Sequence, residues 1–538
     1  MDSHVVDRTR AELNGTVALT RFVARHDRVR ILVWILSIAA LMALTAASIK
    51  GLYPTQASLD EAAAASRDAA AIVFNGPAQG LDTVGGEVAF QGGAMGMVVV
   101  ALVSLFMVGR LTRGEEEAGR LELVRSLPVG RHAPVAAASI TVAGMNLAVG
   151  ALTTAALLAQ GLPLAGALVF GTSFFLTGLF FGGVALLVAQ LAENTRVVFG
   201  ITGAVVGAAF VVRAIGDIGS GTVSWLSPIG IAQKTRPWAG ERWWPFLPLV
   251  AATGLLLAST AAVAARRDLG RGLFEPRRGS PTASPRLGRP LGLAARLQRG
   301  GLIGWCLGVS VMGIAYGSVA PSVDAFVRGN KTLAKLLAGS GGASLTDSYL
   351  ATSFRIMALL GTGFAIQSVL RLRSEETSMR ADSVLATPVS RWQWAGSHLT
   401  VAFAGSVLML VVAGLATGLS YGLVGGDMSI VLRDASAALV YAPAMWVMIG
   451  LTILLVGLLP RASGAAWAIL AGCLLIGFLG AVLRLPHWLE QGSPFERVPQ
   501  LPAGHLSAAP LVLLTVVAAA LTLAGLVGLR SRDIATQG

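Results

Sequence analysis

Charge is scarce in this sequence. Of 538 residues only 13% are charged, against 54% hydrophobic, and mean hydropathy is +0.70. Such a chain has too little polar surface to coat the several soluble domains its length would otherwise suggest, so the composition excludes a soluble protein. Cysteine is almost absent: Cys306 and Cys473 lie inside separate apolar runs with no metal-ligand spacing around them, and they read as small core residues. The motifs of phosphate chemistry are missing too. No Gly-x-x-x-x-Gly-Lys-Ser/Thr occurs, and Gly329-Asn330-Lys331-Thr332 lacks the upstream glycine, which excludes ATP hydrolysis in this chain. The six histidines form no His-Glu-x-x-His pair and no nucleophile constellation, so neither an enzyme nor a cofactor is expected. Although the net charge is +13, the arginines are scattered at the ends of apolar runs rather than gathered into one basic face, which excludes a nucleic-acid partner.

What the chain has in abundance is long apolar runs, at 31–49, 88–108, 133–159, 167–190, 197–212, 246–265, 302–319, 349–370, 395–417, 436–459, 464–483 and 510–529. Their length fits helices crossing a hydrocarbon core of about 30 Å rather than barrel strands of about ten alternating residues. The expected fold is an all-α integral membrane protein of about twelve spans in two parallel six-helix repeats. Five segments are expected: an amphipathic cytoplasmic segment 1–30, a first half 31–265, a Pro- and Arg-rich linker 266–299, a second half 300–529 and a tail 530–538. The first run has no clean cleavage site after it and reads as a retained span. Arg110, Arg113, Arg120, Arg125 and Arg131 share one side with Arg371, Arg373, Arg530 and Arg532, whereas 51–87 carries mostly acids. The positive-inside rule then puts both termini in the cytoplasm, in a multi-pass protein of the cell membrane with lipid around it.

Ionisable residues are few within the runs. Glu87, Arg213 and Arg355 sit near span ends, where snorkelling accounts for them, and the deeper polar groups Gln91, Asn146, Gln190 and Gln367 are neutral. These suit hydrogen bonds between helices and argue against ion-coupled transport. Glycine pairs four apart, Gly92/Gly96, Gly178/Gly182, Gly203/Gly207, Gly304/Gly308 and Gly313/Gly317, read as sites of close helix packing. Trp- and Pro-rich stretches from Trp225 to Pro245 and from Trp488 to Pro502 predict short interfacial pieces over the outer mouth, and 51–87 and 320–348 predict an external cap.

One charged stretch occurs twice, 260 positions apart. Glu115 and Glu116 fall opposite Glu375 and Glu376, Arg120 opposite Arg380, Glu122 opposite Asp382, Pro128-Val129 opposite Pro388-Val389, and Arg131 opposite Arg391. Each copy leaves one apolar run and enters the next, so each predicts a polar hairpin projected from the membrane. A short helix with acids at its start, closed by Pro-Val-x-Arg, is a rigid element suited to docking.

The stretch, with Glu115, Glu117, Gly119, Leu121, Glu122 and Pro128-Val129-Gly130-Arg131 in the first copy, resembles the cytoplasmic loop of type-2 ABC exporter permeases. The second copy keeps Glu375, Asp382 and Pro388-Val389-Ser390-Arg391 but has Thr377 and Met379 where the pattern has glutamate and glycine, which implies unequal coupling by the two halves. Two such units in one chain are similar to the actinobacterial permeases described as exporters of polyketide antibiotics. The resemblance implies a permease effluxing hydrophobic or amphipathic small molecules, coupled through 110–132 and 371–391 to a separately encoded ABC ATPase, in two copies, that holds the ATP and Mg. The implied coupling residues are Glu115, Glu116, Glu117, Arg120, Glu122, Pro128, Arg131, Glu375, Glu376, Arg380, Asp382, Pro388 and Arg391. It also implies a path between the second and fifth helices of each half, lined by Met95, Met97, Phe210, Phe354, Met357 and Phe364. The alternatives are an ion-coupled secondary transporter, which usually carries a basic Asp-Arg-containing loop after helix two that this chain lacks, and a non-transporting membrane regulator.

Overall fold

The computed structural model describes residues 12–65, 69–266, 282, 284–329, 344–483 and 492–532. Contacts divide the chain into two compact units, Met1–Arg278 and Gly279–Gly538. Residues 267–281 and 283 of the stretch expected as a linker, and the Trp488 end of the second aromatic stretch, lie outside the described residues.

In the first unit the elements run α1 (Thr16–His26), α2 (Arg28–Leu52), α3 (Gln56–Ala65), α4 (Ala69–Asn75), α5 (Val84–Gly109), α6 (Arg120–Arg125), α7 (Ala133–Ala159), α8 (Leu164–Leu191), α9 (Thr195–Ile218), α10 (Pro228–Gln233) and α11 (Phe246–Arg266). The second unit continues with α12 (Pro290–Gly329), α13 (Leu345–Thr377), α14 (Arg380–Leu385), α15 (Arg391–Gly425), α16 (Ile430–Leu439), α17 (Ala442–Leu458), α18 (Ala465–Leu483) and α19 (Ala508–Ser531). Helix starts follow local chemistry. Thr83 accepts the Gly86 amide at the head of α5, Asn194 the Val197 amide at the head of α9 and Ser344 the Asp347 amide at the head of α13, and Ser390 with Gln393 forms a capping box on α15.

Among the described residues there is no strand, and eleven helices are long and apolar enough to cross a membrane. The run at 464–483 forms α18, whose described apolar stretch Ala465–Gly477 is shorter than the rest. The protein is an all-α integral membrane protein. Each unit pairs its helices in one scheme: α2 lies on α5 and α7, α8 on α5, α7 and α11, and α9 on α5 and α8. In the second unit α12 lies on α13 and α15, α17 on α13, α15 and α19, and α18 on α13 and α17.

Small residues set the closest approaches. A Cβ on Gly457 of α17 would lie 2.1 Å from the Gly525 carbonyl oxygen of α19, and one on Gly525 would lie 2.6 Å from the Ile453 carbonyl carbon. Of the expected pairs, Gly92/Gly96, Gly178/Gly182 and Gly313/Gly317 face neighbouring helices, whereas Gly203/Gly207 and Gly304/Gly308 have nothing within 4 Å. Spacing alone did not distinguish the packed pairs from the open ones. Gly525→Val is therefore expected to destabilise the second unit by about 1–3 kcal/mol through overpacking, while Gly207→Ala costs nothing; thermal unfolding of the purified variants in detergent compares the two.

Candidate functional site

The repeated stretches fold alike. In the first, α5 runs through a π-helical turn, Arg110–Gly114, and a last helical turn to Glu117, reverses at Gly119 and re-enters as α6. In the second, α13 reaches Thr377 and reverses at Met379 before α14. Three backbone bonds recur: Gly119 N to Glu116 O and Met379 N to Glu376 O, each 3.0 Å; Ser126 N to Glu122 O, 3.2 Å, and Ala386 N to Asp382 O, 2.9 Å; Val129 N to Leu127 O, 2.7 Å, and Val389 N to Thr387 O, 2.6 Å. The last pair is a three-residue turn centred on Pro128 and on Pro388. Gly119 has φ 70° and Met379 φ 55°, so methionine holds the left-handed conformation that glycine takes in the first copy. The departure from the pattern changes a side chain and leaves the turn as it is.

The side chains differ. In the first hairpin Arg120 grips Glu115 with Nε at 2.6 Å and Nη2 at 3.0 Å, in the open, and that bond pushes the Arg120 guanidinium above its ordinary pKa. Arg113 is buried, bonding Glu116 at 2.6 Å and donating from Nε to the Ala189 carbonyl of α8 at 2.6 Å. Glu117 accepts the backbone amide of Thr195, at the start of α9, at 2.6 Å. A strap from the N-terminal segment closes the turn: the Gly130 amide donates to Asn14 O at 2.9 Å, the His132 amide to Glu12 O at 3.1 Å, and the Asn14 side chain to Pro128 O at 3.0 Å. Behind it, buried Asp27 accepts from Arg30 at 2.6 Å and from Arg110 at 3.0 Å.

In the second hairpin Glu375 and Glu376 do not face solvent, as their polar surroundings in sequence suggested; both are buried. Glu376 is held by Arg373 at 3.1 Å and by Arg532, beyond the end of α19, at 2.5 Å. Glu375 meets Arg371 and His398, each at 3.5 Å, and the Trp394 indole N–H at 3.4 Å. His398 Nδ1 lies 2.9 Å from the Gln298 amide, which Ser368 bonds in turn. Arg391 donates to the carbonyls of Arg530 and Arg532, at 3.2 and 2.7 Å. Glu122, Pro128, Arg131, Arg380, Asp382 and Pro388 are exposed. The repeat gave no sign of His398 and Trp394, because the first copy has Ala138 and Pro134 there; a histidine inside an apolar run was the one available signal.

At the opposite end of α5 the first unit holds a second polar cluster. Arg213 does not snorkel: it is fully buried, its Nη2 donating to the carbonyls of Val73 at 2.6 Å and Phe74 at 3.3 Å and its Nη1 to Ile72 at 3.4 Å, with Asp217 at 3.5 Å. Gln233 donates to the next carbonyl, Asn75, at 2.9 Å. The C-terminal carbonyls of α4, which no helix can satisfy by itself, are thus capped by side chains of α9 and α10. Trp238 is wedged where a Cβ on Gly85 or Gly166 would lie within 2.4 Å of its ring. Glu87 is also buried, accepting from Gln91 at 2.6 Å, and in the second unit Arg355 pairs with Glu496 at 2.7 Å. Asn146 bonds Ser104, and Gln367 accepts from Trp305.

Of the residues assigned to a path, Met97, Phe354, Met357 and Phe364 are buried in the cores of their units, Met95 is exposed, and Phe210 lies 4.4 Å beneath the Arg213 guanidinium. Met97 also lines a cavity of about 30 Å³ with Asn75, Gln79, Phe170, Gln233 and Arg236.

An all-helical bundle with charged hairpins repeated beyond its spans and no phosphate-binding motif belongs to the class of membrane transport subunits. The chain is 36% identical, over 99% of its own length and 100% of the other's, to the multidrug efflux system permease protein Rv1217c of Mycobacterium tuberculosis (strain ATCC 25618 / H37Rv). Residues 287–530 match the family described as multidrug efflux system permease Rv1217c, C-terminal domain. The chain belongs to this permease family.

Two outcomes follow from the hairpins. Met379→Gly is expected to stabilise the second hairpin by about 1 kcal/mol, the cost of a left-handed methionine, measured as slower hydrogen exchange across 380–386. Glu376→Gln leaves Arg532 facing a neutral partner in a buried site and is expected to cost about 3 kcal/mol, against about 0–1 kcal/mol for Glu115→Gln in its exposed pair; melting temperatures of the two variants give the comparison.

Proposed function

We propose that this chain is the membrane permease of an ATP-driven exporter that moves hydrophobic or amphipathic compounds out of the cell, with hydrolysis on a separate ATPase docked at the two hairpins. The carrying observation is the similarity, over the whole of both chains, to a multidrug efflux system permease. The hairpins support the docking surface: each is a rigid turn with the same backbone, and each leaves an acid, Glu122 or Asp382, and a proline, Pro128 or Pro388, at the surface. In this reading the hairpins and both termini face the cytoplasm, and substrate passes along the second and fifth spans of each unit, α5 with α9 and α13 with α18. The buried acids Glu375 and Glu376 then act as anchors of the second hairpin, and the exposed residues make the contact.

A second reading, ion-coupled transport, gains from the ionisable groups within the bundle: buried Glu87, buried Arg213 with Asp217, and the half-buried Arg355–Glu496 pair. The two are separated by the energy source. In inverted vesicles carrying the chain and its ATPase, uptake of a fluorescent hydrophobic dye is expected to require ATP and to survive a protonophore, and the isolated chain is expected to show no ATP turnover. Glu122→Lys with Asp382→Lys is expected to reduce recovery of the ATPase with the chain by about tenfold or more while leaving the yield of folded permease unchanged, as reversed charges act on docking and not on insertion. Uptake that persists without ATP and collapses with the protonophore would transfer the assignment to the second reading.

A further inference from the structure

Most arginines in the first unit that lie against the bundle have their charge met. Arg213 has carbonyls and Asp217, Arg113 has Glu116, and Arg110 has Asp27. Arg236 does not. It is half-buried and lines the cavity between α4, α5, α8 and α10, yet its guanidinium makes no hydrogen bond and no ion pair among the described residues. The groups around it are neutral: the amides of Asn75, Gln79 and Gln233, the hydroxyl of Ser173, and the apolar faces of Met97, Phe90 and Phe170. Gln233 spends its amide N–H on Asn75 O, and its Oε1 is buried with no hydrogen-bond partner. A half-buried cation without a protein partner beside a cavity of neutral groups is what a ligand carrying an anion would satisfy.

The backbone points the same way. Arg236 has φ 53° and Trp238 φ 55°, on either side of Pro237, a conformation that costs a non-glycine residue and is held by the structure around it. Here the Trp238 indole, wedged against Gly85 and Gly166 and donating to Pro163 O at 3.2 Å, fixes the segment that carries Arg236. The cavity, at about 30 Å³, is far below the roughly 300–1,000 Å³ of a site that encloses a drug-sized molecule. It is the size of a head group.

We propose that this cavity is a subsite for the carboxylate, or a similarly small oxyanion, of an amphipathic organic acid, with Arg236 as the counter-ion. The inference deepens the exporter reading and rests on it: it names amphipathic anions as a favoured substrate class and places their polar end opposite the first hairpin.

The test is binding to the purified full-length chain of a dansyl-labelled long-chain fatty acid and of its methyl ester, followed by dansyl fluorescence. The wild type is expected to bind the acid more tightly than the ester. Arg236→Gln is expected to weaken the acid about tenfold or more, the worth of one charge-assisted hydrogen bond, and to leave the ester unchanged; Arg236→Lys keeps most of the preference. Arg236→Gly, which relieves the positive φ, removes the guanidinium from a chain that folds at least as well and is expected to match Arg236→Gln. Equal binding of acid and ester, no binding of the acid, or a preference that survives both Arg236→Gln and Arg236→Gly overturns the subsite. Failure of the exporter reading shows separately, as absence of ATP-dependent transport of acid and ester alike.

Discussion

A polar group inside a membrane-spanning bundle has no water to turn to, so the chain itself must supply its partner. That constraint organises both units of this protein. Arg213 reaches through the fold to carbonyls about 140 residues earlier in the chain, and Glu376 finds its tightest partner in Arg532, 156 residues later. Each such bond ties a surface segment to a span: α4 is fixed to α9, and the second hairpin to α15 and the end of α19. Removing one partner leaves an uncompensated charge in a dry site, which is why these ties are costly to break one at a time.

The same distances mark where the sequence stopped being legible. The all-α membrane class and the helical runs could be read directly, because length and hydropathy are local properties. The hairpins could be read as well, since the turn chemistry at Pro128 and Pro388 acts within a few residues. Which acids point inward could not. Glu115 and Glu375 occupy matching positions, but one meets Arg120 five residues away and the other meets His398 on another helix. The glycine pairs divide for the same reason: Gly313/Gly317 found a facing helix and Gly203/Gly207 did not. Glu87 and Arg213 lie near the ends of apolar runs, where snorkelling is the local expectation, yet both are buried. Burial is decided by what packs over that end.

Two hairpins with one backbone and different electrostatics are a division of labour at the level of side chains. The first keeps its Glu115–Arg120 pair outside and relies on a strap of backbone hydrogen bonds from Glu12 and Asn14. The second turns both acids inward and is joined to its bundle through Glu375, His398, Gln298 and Ser368. An exposed pair in water is worth little and exchanges partners readily, whereas a buried network holds one geometry. The Glu115–Arg120 pair of the first hairpin is therefore free to exchange partners, whereas Glu375 and Glu376 of the second are held in one arrangement.

Glu117 holds the first amide of α9, and Arg213, near the last turn of the same helix, holds the end of α4. An α-helix of 24 residues is a rod about 36 Å long that resists compression along its axis. Fastened near both ends, it links the first hairpin to the carbonyls of Ile72 to Phe74 without an intervening loop.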